Sequence, residues 1–249
     1  MRRELTVNWH DLQPGRALSR DTVHIWRASL DISKSLINYI EATLSAEELA
    51  HIAGVRSSPA RLRNIAAYGL RRMILAHYMN IDPGELRFSY NAYGKPALAS
   101  QMTELCFNVS HSADQFILAL ALDSAIGVDI ERIDARFPWQ EIVSHWFTPN
   151  ENTVLQSLPS EFQRNAFYTL WTRKEAYMKA CGQGFSLKMN QIDVSFGSDV
   201  WGNAINAFKA LDGDTTWELH DLEFSSDYAA TVAIQNNGWS LYFGQWEDH

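Results

Sequence analysis

What this chain of 249 residues has little of narrows its role before any motif is considered. It holds only two cysteines, Cys106 and Cys181, too few for a disulfide framework and in no metal-binding spacing, which fits a reducing compartment. Its 7 prolines and 13 glycines form no linker, and there is no low-complexity tract, so nothing marks off a flexible tether. No apolar run approaches the roughly 18 residues of a membrane-spanning helix. Behind Met1-Arg2-Arg3-Glu4 an apolar signal core is missing, because Asn8, His10, Asp11 and Gln13 interrupt it. Basic residues are scarce: 21 Lys and Arg against 29 Asp and Glu leave a net charge of −8, which disfavours a general nucleic-acid-binding surface. The glycines spell neither a dinucleotide fingerprint nor a P-loop. These absences predict a soluble cytoplasmic protein that binds neither nucleic acid nor membrane.

What is present suffices for a core. Hydrophobic residues make up 46% and aromatics 12%, with nine Trp, a composition that excludes disorder. The length suits one large domain or two of about 125 residues. Strands are predicted at 23–30, 86–90, 105–109, 116–122 and 125–131, then at 191–196, 217–222, 228–234 and 239–245. Asn236-Asn237-Gly238 predicts a hairpin between the last two. Ser45 with Glu48 reads as a capping box, and so does Thr148-Pro149-Asn150-Glu151. Ser58-Pro59 opens a helix with Leu62, Ile65, Ala66, Leu70, Met73, Ile74 and His77 at helical spacing and Arg61, Arg63, Arg71 and Arg72 on the other side. Ser160 with Gln163 opens the longest helix, closed by Gly182 or Gly184. The reading is a strap at 1–20, an N-terminal half at 21–124 and a C-terminal half at 125–249, each a helix followed by strands. Ser112-Ala113-Asp114-Gln115-Phe116 and Ser226-Asp227-Tyr228 echo one another faintly across the two halves.

Three segments carry chemistry. In Gly127-Val128-Asp129-Ile130-Glu131, alternation turns Val128 and Ile130 to a core and puts Asp129 and Glu131 together on the opposite face. On this segment alone a solvated strand face is the commoner explanation of two carboxylates so placed, and a hard divalent cation between them is the other. In the helix 171–182, Glu175 and Lys179 stand at i and i+4, which an exposed ion pair also explains. Lys174 falls in a gap of the apolar stripe Phe167, Leu170, Trp171, Met178, Cys181, so it either snorkels or points into a polar cavity. In Phe107-Asn108-Val109-Ser110-His111-Ser112 a strand ends in donors suited to an anion, although a lone histidine is commonly structural. Together, acids for a cation, basic residues on two helices and a histidine at a strand end are equipment for a pyrophosphate-bearing substrate.

The chain resembles the 4'-phosphopantetheinyl transferases of the two-halved class typified by the surfactin-synthetase activator. The family's paired signatures, G-[IV]-D-[IV]-E and W-x-x-K-E-A-x-x-K-x-x-G, stand here at 127–131 and 171–182, about forty residues apart. Tyr93-Gly94-Lys95-Pro96 and the 107–112 segment match as well, and the resemblance runs from about Val23 to Phe185 and more loosely to the end. It implies an α+β monomer of two pseudo-symmetric halves, each a helix packed on a mostly antiparallel sheet, with the active site between them. The implied reaction moves phosphopantetheine from coenzyme A to a serine of an apo acyl, peptidyl or polyketide carrier protein and releases adenosine 3',5'-bisphosphate. By position, Asp129, Glu131 and Glu175 would bind Mg²⁺, with Mn²⁺ as an alternative, and Lys174 and Lys179 would handle the pyrophosphate. His111 and Arg63 would meet the 3'-phosphate, with Arg56 as a second anchor, Ser110 would also bind the coenzyme, and Gly94-Lys95-Pro96 would border the adenine. A Glu175 beside a metal and two lysines is expected to have its pKa held below the usual carboxylate range. The chain departs from the family at Glu47-Glu48-Leu49-Ala50-His51, where basic residues are common, at Asn64, where an aromatic is common, and at Tyr68, where Arg is common. The carrier is expected to dock near the C-terminal helix and Phe185-Ser186-Leu187-Lys188. Two rival readings remain: a non-catalytic coenzyme A or carrier-binding protein, and a Mg²⁺-dependent phosphohydrolase.

Overall fold

The computed structural model of the chain describes residues 9, 16–99, 104–184, 187–195, 205–209, 215–236 and 238–247. Most of the strap at 1–20, Asn237, Phe185, Ser186 and Phe196 lie outside them. In chain order the elements are β1 (Thr22–Ser29), α1 (Lys34–Glu41), α2 (Ala46–Ala53), α3 (Ser58–Met79), β2 (Phe88–Tyr90), β3 (Pro96–Leu98), β4 (Leu105–Ser112), β5 (Gln115–Leu122) and β6 (Ile126–Arg132). There follow α4 (Gln140–Trp146), α5 (Pro149–Ser157), α6 (Ser160–Cys181), β7 (Ile205–Lys209), β8 (Thr216–Asp221), β9 (Tyr228–Gln235) and β10 (Ser240–Gln245). Among the described residues no helix is long and apolar enough to cross a membrane.

Two four-stranded sheets, ordered β10-β1-β5-β4 and β6-β9-β8-β7, lie at the centre, and the helices cover their outer faces. The period of two along each strand divides its side chains between two cores. On β5, Phe116, Leu118 and Leu120 pack under α1–α3, whereas Ile117, Ala119 and Ala121 face a cluster shared with Val128, Ile130, Val232 and Ile234 of the other sheet. Both faces of β5 are therefore buried, which is why 116–122 reads as an unbroken apolar run. On β6 the same alternation turns Val128 and Ile130 inward and sends Asp129 and Glu131 to the side of α6.

The two halves repeat one another in architecture. Each runs strand, two short helices, a 22-residue helix, a 3₁₀ turn and an antiparallel strand pair, and β1-β5-β4 matches β6-β9-β8 in order and sense. The match extends to a buried knot in each half. In the first, the capping-box residue Glu48 holds Arg71 and Arg72, and Arg72 donates to Pro83 O at 2.7 Å and Leu86 O at 3.1 Å across the 3₁₀ turn Pro83–Glu85. In the second, the capping-box residue Glu151 holds Lys174 at 2.7 Å, and Lys174 donates to Met189 O and Ile192 O across the 3₁₀ turn Met189–Gln191. Each glutamate finishes its helix N-terminus and neutralises a cation on the long helix, and each cation closes the carbonyls of the following turn.

Several local expectations are corrected. Arg71 and Arg72 are buried on Glu48 and are not on the outer side of α3, while Leu62 of the apolar stripe is exposed. The cap of α3 is Ser57, one residue earlier than Ser58, and Pro159, not Ser160, caps α6. No strand forms at 191–195: Ile192 and Val194 are buried, but their carbonyls accept from Lys174 and Arg173 and leave no ladder to build. The last two strands do not form a hairpin. β10 crosses to the first sheet and pairs in parallel with β1, Val23 opposite Leu241 and Ile25 opposite Phe243, because the free edge of β1 is there to be covered. The final strand of the 125–249 half thus completes the sheet of the 21–124 half.

Candidate active site

The site lies where β6 and α6 of the second half meet β4 of the first. Gly127, second in β6, has no side chain because α6 rests directly on it: a Cβ there would stand 2.1 Å from Ala176 O and 2.4 Å from Ala180 N. This close approach brings Glu175 and Lys179, one turn apart, over Asp129 and Glu131. Lys179 Nζ lies 2.6 Å from Asp129 Oδ1, 2.8 Å from Ser110 Oγ and 3.3 Å from Val128 O. Ser110 Oγ also donates to Asp129 Oδ1 at 2.9 Å.

β4 and β6 run side by side, and side chains of β4 take the place of a backbone ladder. Asn108 Oδ1 accepts from Val128 N–H at 2.9 Å, and Ser112 Oγ donates to Glu131 Oε2 at 2.9 Å while accepting from Arg132 N–H at 3.1 Å. Asn108, Ser110 and Ser112 share a face by the period of two, so one strand of the first half reads the two acids of the second. The sequence places Asn108 and Ser112 in the donor-rich segment 107–112 but gives a site role only to Ser110 and His111; the i, i+2, i+4 run of small polar residues is the signal for the other two.

Three carboxylates share one ammonium here. Desolvation and the Asp129 charge raise the Glu131 carboxyl above its ordinary range, against its bond from Ser112 and the pull of Lys179. Glu175 is pushed up to about 7, first by desolvation and then by Asp129, with Lys179 pulling the other way. Of the two lysines expected beside Glu175, only Lys179 acts on it; Lys174 points away, to Glu151. Among the described residues, no three acidic, imidazole or thiol groups as placed form an ion-binding cluster. The donor set nonetheless fits a divalent cation: Asp129 Oδ2 is buried with no hydrogen-bond partner, and desolvation followed by the Asp129 charge raises both neighbouring glutamates.

Two cavities share Lys179, Val109, Gly94 and Pro96 as lining residues. The first, about 400 Å³, runs past His111 to α3, where His51, Asn64, Tyr68 and Arg71 line it. The second, about 270 Å³, passes Glu175 and Met178 toward Tyr93, Gly182 and Gly184. His111 is held below its ordinary pKa by desolvation and then by Lys179, which favours the neutral imidazole.

The remaining predicted residues separate. Lys174 is 0% exposed, bound to Glu151, and takes no part in the site: it is the second half's counterpart of Arg72. Arg63 pairs with Asp31 at 3.3 Å and lines neither cavity; the α3 residues that do, Asn64, Tyr68 and Arg71, lie at i, i+4 and i+7 on the adjoining face. Arg56 is exposed in the turn between α2 and α3 and also lines neither. Pro96 borders both cavities and Lys95 lines the second, with its ammonium taken up by Ile126 O at 3.1 Å and Ala180 O at 3.0 Å.

Residues 125–233 match the family model of the 4'-phosphopantetheinyl transferase superfamily. The chain is 32% identical over 241 residues to the 4'-phosphopantetheinyl transferase HetI of Nostoc sp., an alignment covering 96% of this chain and 98% of that protein. It is 30% identical over 160 residues to the 4'-phosphopantetheinyl transferase gsp of Aneurinibacillus migulanus, covering 64% of this chain and 65% of that one. A 4'-phosphopantetheinyl transferase of Bacillus subtilis is 32% identical over 130 residues, 52% of this chain and 56% of its own length.

Proposed function

We propose, since the chain belongs to the 4'-phosphopantetheinyl transferase superfamily and is an enzyme that transfers phosphopantetheine to activate carrier proteins, that its donor is coenzyme A and its leaving group adenosine 3',5'-bisphosphate. The observation that carries the reading is the pair of cavities diverging from Lys179. Coenzyme A has a polar nucleotide end and a less polar arm joined at a pyrophosphate. The larger cavity, with His111, Asn64 and Tyr68, suits the nucleotide, and the smaller, with Tyr93, Pro96 and Met178, suits the arm. The pyrophosphate then lies at their junction, against Lys179, Ser110 and the neutral His111.

In the reaction, a carrier serine hydroxyl attacks the β-phosphorus, the bond from that phosphorus to the bridging oxygen breaks, and the bridging oxygen leaves with the nucleotide. Lys179 stabilises the negative charge that develops on the leaving phosphate. Glu175 accepts a hydrogen bond from the serine hydroxyl, orients it for attack and receives the proton it gives up as the new P–O bond forms, and Ser110 holds Asp129 Oδ1 in place. Asp129, Glu131 and Glu175 are the residues that would hold Mg²⁺ or Mn²⁺, whose chemistry is to neutralise phosphate oxygens. Both halves of the site come from one chain, which supports a monomer, and we assign it to the cytoplasm, where carriers and coenzyme A meet.

Mass spectrometry of an apo carrier incubated with coenzyme A and Mg²⁺ tests the reading. The carrier is expected to gain the mass of one phosphopantetheinyl group on its serine, with no bisphosphate released when the carrier is omitted. Carrier-independent cleavage of coenzyme A would make the protein a phosphohydrolase. Acyl, peptidyl and polyketide carriers compared side by side identify the partner.

A further inference from the structure

The catalytic helix ends on a turn from the other half of the molecule. At 91–96, Asn91 Oδ1 accepts from the backbone N–H groups of Tyr93 and Lys95, each at 2.9 Å, and Asn91 N–H donates to Lys95 O at 3.1 Å, so the turn is braced by one side chain. The same asparagine donates from Nδ2 to Gly182 O at 2.6 Å. Lys95 Nζ donates to Ala180 O at 3.0 Å and to Ile126 O at 3.1 Å. These acceptors are the last carbonyls of α6 and the first of β6. A helix C-terminus leaves such carbonyls without intrahelical partners, and an ammonium there also complements the helix dipole. Gly182 fits this contact closely. Its φ is +66°, and a Cβ on it would stand 3.1 Å from Asn91 Nδ2 and 3.2 Å from Lys95 Cδ.

Position gives the clamp its consequence. Ala180 follows Lys179, and Ile126 lies three residues before Asp129 on the same strand. Gly94 and Pro96, which border both cavities, sit on either side of Lys95. One side chain thus ties the wall against which the donor would rest to the two elements that carry the reacting groups.

We infer that Asn91 and Lys95 are positioning residues, which fix the end of α6 and the start of β6 so that Lys179 and Asp129 stand in register with the donor lying against the turn. Lys95 then acts through Lys179 and not by gripping the donor. The inference rests on the proposed placement of the donor pyrophosphate at Lys179.

The test uses the full chain with Lys95→Met, Lys95→Arg and Asn91→Ala, transfer kinetics with coenzyme A and an apo carrier, and hydrogen exchange of the amides at 178–184. Lys95→Met is expected to lower kcat about tenfold or more with KM for coenzyme A near the wild-type value, since moving a reacting group by an ångström costs up to roughly 10²-fold. Lys95→Arg recovers part of the rate, because a guanidinium still reaches both carbonyls. Exchange at 178–184 quickens in Lys95→Met and Asn91→Ala. A raised KM with kcat intact in Lys95→Met overturns the inference and makes Lys95 a donor-binding residue; unchanged exchange at the helix end overturns it as well. If the wild-type protein forms no holo-carrier, the transfer reading falls, and hydrogen exchange alone judges the clamp by the same criterion.

Discussion

Replacing Lys174 with methionine asks whether a lysine inside the signature helix serves the chemistry or the fold. Its Nζ is fully enclosed, 2.7 Å from Glu151 Oε2 and 2.8 Å from Met189 O. Burial pushes the Glu151 carboxyl up and the Lys174 ammonium down, each against the attraction of its partner. Methionine removes the charge and strands Glu151, which still accepts from Val194 N–H at 2.9 Å and Thr148 N–H at 2.8 Å. Removing one member of a buried pair costs roughly 3–5 kcal/mol, and at about 2–4 °C per kcal/mol for a chain of this size Tm falls by roughly 6–20 °C. Adding Glu151→Gln removes the second charge and keeps an acceptor for one of the two backbone N–H groups, which bond to different oxygens, so the double variant regains part of the loss. Calorimetry measures the stability, and kcat is taken on folded protein well below each Tm. The expected result is a large stability loss with kcat near wild type. A kcat lowered by orders of magnitude with Tm unchanged would refute the structural assignment and return Lys174 to the reaction.

Lys179→Ala is expected to lower kcat by roughly 10²–10³, the usual loss for one preorganised group at a developing charge; a change confined to KM for coenzyme A in steady-state kinetics would contradict that role. Gly127→Ala places a methyl 2.1 Å from Ala176 O, so α6 must lift; a loss of about 1–3 kcal/mol in denaturant melts, with reduced transfer, is expected, and a neutral substitution would show that the strand–helix distance is not limiting. His24 is buried on β1, its Nδ1 2.6 Å from the Tyr78 hydroxyl and its Nε2 without a partner, and desolvation followed by the Arg16 charge lowers its pKa from 6.5 to about 4. The folded state therefore binds fewer protons than the unfolded state between those values, so His24 costs no stability above pH 6.5, and about 3 kcal/mol is lost as the pH falls to 4. Urea melts across that window should show the slope in the wild type and a flatter one in His24→Gln; identical slopes would remove His24 as the cause.

The parts of the site carried by local geometry were legible in the sequence. Alternation put Asp129 and Glu131 on one face of a strand, helical spacing put Glu175 and Lys179 on one face of a helix, and both capping boxes announced their helices. Each depends on a backbone period that a few consecutive residues establish. Lys174 was not legible, because its fate turns on Glu151, 23 positions earlier in the chain, and on carbonyls of a turn beyond the helix. The same holds for Arg71 and Arg72: helical phase says which way a side chain leaves the axis, but only packing decides whether a buried carboxylate waits there. Asn236-Asn237-Gly238 predicts a hairpin, yet which edge β10 joins depends on the open side of β1, more than 200 residues earlier. Lys95 belongs with these cases: its motif marks a turn, while the partners of its ammonium come from the other half and exist only once the two halves close on each other. Sequence by itself determined most of the strands, the two long helices and the chemical types of the site, because those follow from short-range periodicity. Tertiary structure alone decided which charges meet substrate and which meet each other, because a charge's role is set by its distant neighbours and its access to water.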